Sequence, residues 1–257
     1  MRKAVFPSFL LLITLTISLS AQNSRVVVED ATNKEDTHFK IGALAGLTLA
    51  MNTTDYNVSQ VSRSLGIGSN FGVRASVPIG GNTRFVGGVG YHTLSFSDEN
   101  KHVSVDIDNV DHRWTLDSPL TTEGTFQYTV LTAMLQFSQF FIGVNIGLPA
   151  SSEMTNSADF TIPESGLVPP DNIDNPEGRI LRSDITPETD DLNTLIELRA
   201  GGEFPVVKTG VGDLNFGISL GWTFNQILKE SYDNLPNMED QFYLPNVLFQ
   251  VSYMFNI

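Results

Sequence analysis

The chain of 257 residues has no cysteine and only 15 lysines and arginines against 29 acidic residues. Without cysteine no disulfide can brace an exported fold and no thiol can carry an acyl chain, so stability must come from backbone pairing and packing. A formal net charge of −14 leaves no basic patch of the kind that phosphate backbones require, so nucleic acid is not expected as a partner. Beyond residue 21 no apolar run approaches the roughly 20 residues of a membrane-spanning helix. The mean hydropathy is −0.02. The chain also lacks a glycine-rich phosphate loop before a helix, metal-ligand spacing and a nucleophile elbow. No cofactor, no metal and no enzymatic activity are therefore expected.

What the chain does have begins at its N-terminus. Arg2 and Lys3 precede an apolar run over 9–17, and Ser18-Leu19-Ser20-Ala21 follows before Gln22. Basic, apolar and small-residue zones in that order read as a signal peptide cleaved after Ala21.

The second feature is side-chain alternation, which in a strand puts every other residue on one face. The final strand reads Val247, Phe249, Val251, Tyr253, Phe255 and Ile257 on one face, against Gln250, Ser252 and Asn256 on the other. Leu214, Phe216, Ile218, Leu220, Trp222 and Phe224 alternate with Asn215, Gly217, Ser219, Gly221, Thr223 and Asn225 in the same way. Eight such strands are expected, over 39–51, 70–79, 84–96, 126–137, 140–148, 192–204, 214–224 and 247–257. Gly80-Gly81-Asn82, Ser138-Gln139 and the segment 206–212 make short connections. Long ones fall at 52–69, 97–125, 149–191 and 226–245, so short and long alternate strictly and all long loops emerge on one side. Strands of about 9–13 residues suit a tilted crossing of a bilayer, with greasy faces toward lipid. Aromatics gather near the strand ends: Phe39, Phe85, Phe137, Phe140, Phe204 and Phe255 at one rim, Tyr91, Trp222 and Phe224 toward the other.

Over residues 38–257 this pattern resembles the small bacterial outer-membrane β-barrels, of the PorT-like and OmpX- and OmpA-transmembrane-domain kind. The Leu-Ser-Ala-Gln ending of the signal is similar to that of Bacteroidetes-type exported proteins. The resemblance implies an all-β fold, a closed antiparallel eight-stranded transmembrane barrel with short periplasmic turns and long extracellular loops. It implies a signal peptide at 1–21, a short periplasmic segment at 22–37 and the barrel at 38–257, located in the outer membrane. Many members end on an aromatic residue read by the barrel-insertion machinery. This chain ends on Ile257, so that signal is expected to rest on Val251, Tyr253, Phe255 and Ile257. A secreted β-sandwich is the alternative fold that alternating strands permit.

Lys40, Arg74, Glu197, Arg199 and Glu203 fall on the polar faces and are expected as a charge network in the lumen. Eight strands leave room only for side chains, so the network fills the barrel or else lines a narrow pore. Acidic residues concentrate in 97–125 and 149–191. Asp106, Asp108 and Asp111 offer oxygens at short spacing without the glycine and terminal glutamate of a calcium loop. The four histidines, His38, His92, His102 and His112, read as rim or loop residues. The expected function is that of a non-enzymatic outer-membrane protein. The barrel is its anchor, and long acidic loops serve recognition or envelope structure. Its partners would be outer-membrane lipid, the insertion machinery and an extracellular or envelope protein. A narrow pore for small solutes or ions is one alternative. A PorT-like accessory role in protein secretion, by resemblance, is another.

Overall fold

A computed structural model describes residues 38–53, 61–109, 112–160, 179–184, 187–229 and 243–257. The expected signal peptide and the segment 22–37 lie outside the described residues. Among the described residues there are nine strands: β1 (Lys40–Ala50), β2 (Val61–Gly80), β3 (Thr83–Asn109), β4 (His112–Phe137), β5 (Phe140–Phe160), β6 (Arg179–Asp184), β7 (Leu195–Lys208), β8 (Gly212–Thr223) and β9 (Asn246–Asn256). All pairings are antiparallel.

Eight of the strands close a ring. Its order is β1, β2, β3, β4, β5, β7, β8 and β9, with β9 paired back onto β1 and β5 paired to both β4 and β7. The short β6 adds to the far end of β5. The row of partners that starts at Lys40 passes through Ser76, Val86, Met134, Gly143, Arg199, Gly221 and Asn246. It returns to β1 at Ala50, ten residues further on. A stagger of ten on eight strands inclines them by about 40° to the barrel axis, the geometry that lets a sheet close without an edge. The rows therefore climb from the β1 start toward the long-loop end as they pass from β2 round to β9.

Alternation now has a physical meaning. On β5, Phe140, Ile142, Val144, Ile146 and Leu148 are exposed, while Asn145 and Gly147 point inward and are buried. The exposed large apolar side chains run right round the ring, from Ile41, Val73, Val89 and Leu131 to Ile196, Phe216 and Val251. In water such a surface would drive aggregation. In lipid it is matched, and each of the eight ring strands is paired on both sides, so no open sheet edge faces the lipid.

The short connections match their residues. Gly80 and Gly81 take φ of 138° and 56°, and Ser138 takes 56°, the left-handed region that tight hairpin turns need. Thr209 Oγ1 donates to the Gly212 carbonyl at 2.7 Å to fold the third turn.

Several strands run past their expected ends. Much of the segments read as long loops at 52–69, 97–125 and 149–191 continues the ladder. β3 and β4 pair from Thr83–Phe137 up to Asn109–His112, and β5 continues to pair with β4 up to Ala158–Leu120. Above the apolar belt the described outward residues, such as Ser95, Thr125, Glu123, Ser151 and Glu153, are hydroxyls and acids, so the hydrophobic period that announces a strand fades while hydrogen bonding continues. β3 has 27 residues and β4 has 26, against about 9–11 for a bilayer crossing, so the hairpin stands well clear of the belt.

Candidate functional site

The lumen gathers the polar side chains that alternation sends inward, and it is stratified. At the lower mouth Lys40 Nζ donates to Asp213 Oδ2 at 2.6 Å. Arg84 donates through Nε to Ser76 Oγ at 2.7 Å and through Nη2 to the His38 carbonyl at 2.6 Å.

One step up, the Arg74 guanidinium pairs with Glu203. It also donates to Ser252 Oγ at 2.7 Å, and Ser252 Oγ in turn donates to Glu203 at 2.6 Å. Arg74 stands on β2 and Glu203 on β7, four places apart round a ring of eight, so this pair crosses the full width of the lumen.

The third layer is fully buried. Arg199 reaches Glu197 at 2.7 Å. It also donates to Ser219 Oγ at 2.9 Å and to Asn246 Oδ1 at 2.8 Å. Glu197 accepts further bonds from Asn145 Nδ2 at 2.8 Å and Asn246 Nδ2 at 2.6 Å. Thr132 Oγ1 donates to Asn145 Oδ1 at 2.8 Å, which fixes that amide. Buried charges are tolerated only when paired and hydrogen-bonded in this way. Thr48 Oγ1 and His92 Nε2 share a bond of 3.1 Å at the same height.

Above this layer the lumen turns apolar. Leu94, Phe96, Phe126, Tyr128, Val130 and Met154 line the wall, and Leu192, Leu195, Ile227, Leu228 and Leu244 fill between them. Four of the fillers lie outside the ring strands, in segments that bend across the mouth. Leu192 and Leu228 form a bridge. Asn193 donates through Nδ2 to the carbonyls of Gln226 at 3.2 Å and Leu228 at 3.0 Å. Asn225 Oδ1 accepts from the Ile196 amide at 2.9 Å. An apolar lid thus lies over a polar column.

Of the five charges expected as a lumen network, the structure pairs Arg74 with Glu203 and Arg199 with Glu197. Lys40 joins Asp213, which the sequence reading did not single out. Asn145, Ser219, Asn246, Ser252, Thr48 and His92 were also passed over as members of the network. The signal for most of them was present, since each sits on a polar face. The contacts between them span up to half the ring and are invisible along the chain.

His92, read as a rim residue, is instead fully buried under the lid. Asp106 and Asp108 lie in strand β3, whose partners there are Thr115 and Arg113; Asp111 lies outside the described residues. Among the described residues no group of three His, Asp or Glu side chains could hold a metal ion. Val251, Phe255 and Ile257 face outward and are exposed. Tyr253 meets Phe255 edge-on at 4.7 Å on the same face.

No protein-family model and no curated protein matches the chain. Among solved structures it is similar to Ail, the attachment invasion locus protein of Yersinia pestis, in complex with the heparin analogue sucrose octasulfate. That match has 11% identity and a TM-score of 0.37, and it covers 85% of this chain and 99% of that one. Neisserial surface protein A follows at 13% identity and a TM-score of 0.32, covering 85% and 97%. The outer membrane protease OmpT from Escherichia coli stands at 10% identity and 0.32, covering 89% and 99%. The assignment of the chain as an eight-stranded barrel rests on its own strand pairing.

Proposed function

We propose that this chain is a non-enzymatic outer-membrane protein whose barrel is a filled anchor and whose extended wall on the long-loop side is its working surface. The observation that carries this reading is the Arg74–Glu203 pair, which spans opposite walls of the lumen. The buried Arg199–Glu197 layer and the apolar lid stacked above it add to the obstruction. A conducting pore needs a continuous hydrated path, and bonded charge layers stacked beneath an apolar lid support a filled lumen instead. His92 is buried beneath the lid and bonded to Thr48, which supports a structural role for it. The investment of chain outside the belt, in the β3–β4 hairpin and the β5–β6 ladder, is what recognition or envelope contact would use. On this reading the partners are membrane lipid, the insertion machinery acting on Val251, Tyr253, Phe255 and Ile257, and an extracellular or envelope protein.

The test is single-channel conductance of the refolded protein in a planar bilayer, with heat-modifiable gel migration as the sign that the barrel has formed. A folded, silent barrel is expected. Steady openings that change on Arg74→Ala would replace the anchor with a narrow pore.

A further inference from the structure

On one wall of the barrel the apolar belt stops early. Tyr91, Gln127, Thr129 and Ser151 point outward, alternating with inward residues such as His92, Phe126, Tyr128 and Met154. Along one row Tyr91 pairs with Thr129 and Thr129 with Leu148, and in the next Gln127 pairs with Ser151. The rows climb from β4 toward β8, so Leu148 on β5 and Phe224 beyond the end of β8 stand higher than Thr129. Both are exposed apolar residues, at 52% and 58%. Thr129 therefore faces outward at a height where Leu148 on β5 and Phe224 after β8 still present apolar side chains, and Gln127 follows one row above it.

The groups in this notch are of one chemical kind. The Tyr91 hydroxyl and the Ser151 hydroxyl both donate to the Gln127 carboxamide oxygen, which links three strands. The Ser95 and Thr125 hydroxyls bond each other at 3.1 Å just above. The Tyr91 ring stacks on Phe71 with centroids 5.3 Å apart, an aromatic platform at the lower edge. Glu123 and Glu153 follow on the same outward face and are exposed. A phosphate headgroup asks for Lys or Arg and is repelled by carboxylates. Neutral hydroxyls and an amide, which both donate and accept, beside an aromatic face suit the hydroxyls and C–H faces of a sugar.

We propose that the notch on β3, β4 and β5 is a binding surface for the uncharged sugar headgroup of a glycolipid in the outer leaflet. The surface is continuous with the lipid-facing belt, so the acyl chains of such a lipid would lie on Val89, Leu131 and Ile146 while its sugar meets Thr129, Gln127 and Ser151. The inference rests on the reading of the chain as a membrane-spanning barrel.

The probe is a nanodisc of equal parts phosphatidylcholine, phosphatidylglycerol and digalactosyl diacylglycerol, with native mass spectrometry of the lipids retained on the released protein. Retention of the galactolipid over phosphatidylcholine by about fivefold is expected, which corresponds to about 1 kcal/mol of preference. The triple variant Gln127→Leu, Thr129→Val, Ser151→Ala lengthens the belt without touching the lumen, and in it the ratio should fall to about one. An unchanged ratio in the variant, preferential retention of phosphatidylglycerol, or no preference in the parent protein would each overturn the proposal while leaving the barrel reading intact. Failure of the protein to enter discs as a heat-modifiable barrel would overturn both.

Discussion

At the scale of single residues, the lumen is a set of obligations. Arg199 and Glu197 have no solvent, so each is tolerable only because the other, with Asn145, Ser219 and Asn246, satisfies it. Glu197→Ala removes the counter-charge and two bond acceptors at once and leaves a buried guanidinium uncompensated. A loss of about 3–5 kcal/mol is expected, read from urea unfolding in detergent or bilayer. The double change Glu197→Met, Arg199→Met removes both charges and fills similar volume, so it should recover most of that loss. Additive losses in the double variant would mean that the pair is not the coupled unit its geometry describes. The same logic explains why single positions were legible and their contacts were not. Glu197 and Arg199 announce an inward face by sharing the parity of Glu203 in a strand of alternating apolar residues. The choice of Asn246 as partner depends on β9 lying two places away from β7 round the ring.

At the scale of strands, the lipid-facing halves were readable and the upper halves were not. Phe140 to Leu148 alternates cleanly because one side meets hydrocarbon and the other a packed polar lumen. From Pro149 onward the outer side presents Ser151 and Glu153 in place of hydrocarbon-matching residues, so the contrast fades while the ladder continues to Phe160. A register shift between Gln127 and Tyr128 of β4, opposite Pro149 and Ser151, keeps the inward phase through that change. Close approach of neighbouring backbones sets a second constraint on strands that parity does not reveal. A Cβ built on Gly143 would lie 2.3 Å from the Ala133 carbonyl oxygen, whereas one on Gly87 meets nothing closer than 3.5 Å. Gly143→Ala should therefore destabilise the barrel by about 1–3 kcal/mol, because the neighbouring backbone has to move. Gly87→Ala should change stability by less than about 0.5 kcal/mol. Denaturant midpoints of the two variants side by side would check this, and equal shifts would contradict the close packing of β4 on β5.

At the scale of the whole molecule, the exterior is a depth gauge. If the exposed apolar ring faces lipid, a charge should cost most at the middle of the belt and little at its rim. Val144 lies near mid-belt on β5 and Phe255 near the lower rim on β9. Val144→Arg should cost about 2–4 kcal/mol and Phe255→Arg about 0–1 kcal/mol, measured by reversible unfolding into denaturant from liposomes. A flat response would argue for a soluble sandwich and against a membrane barrel. The lid is likewise a property of the whole. Leu192, Ile227, Leu228 and Leu244 come from segments before β7, after β8 and before β9, and only closure of the ring brings them together over one mouth.

Sequence alone determined what depends on the nearest neighbours along the chain. Period-two alternation, glycine-rich turns and the spacing of short and long connections specify antiparallel strands with one greasy and one wet face. In a chain without cysteine and, beyond residue 21, without a long apolar run, those features pointed to a barrel. Tertiary structure decided what depends on closure. The stagger of ten residues set which inward side chains meet. It placed Arg74 against Glu203 across the full lumen and gave Lys40 to Asp213. It also buried His92 beneath an apolar lid and tilted the rows so that hydroxyls on one wall share their height with hydrocarbon-facing residues on another. Those relations are fixed by geometry around the ring, and the one-dimensional period of a strand carries no information about them.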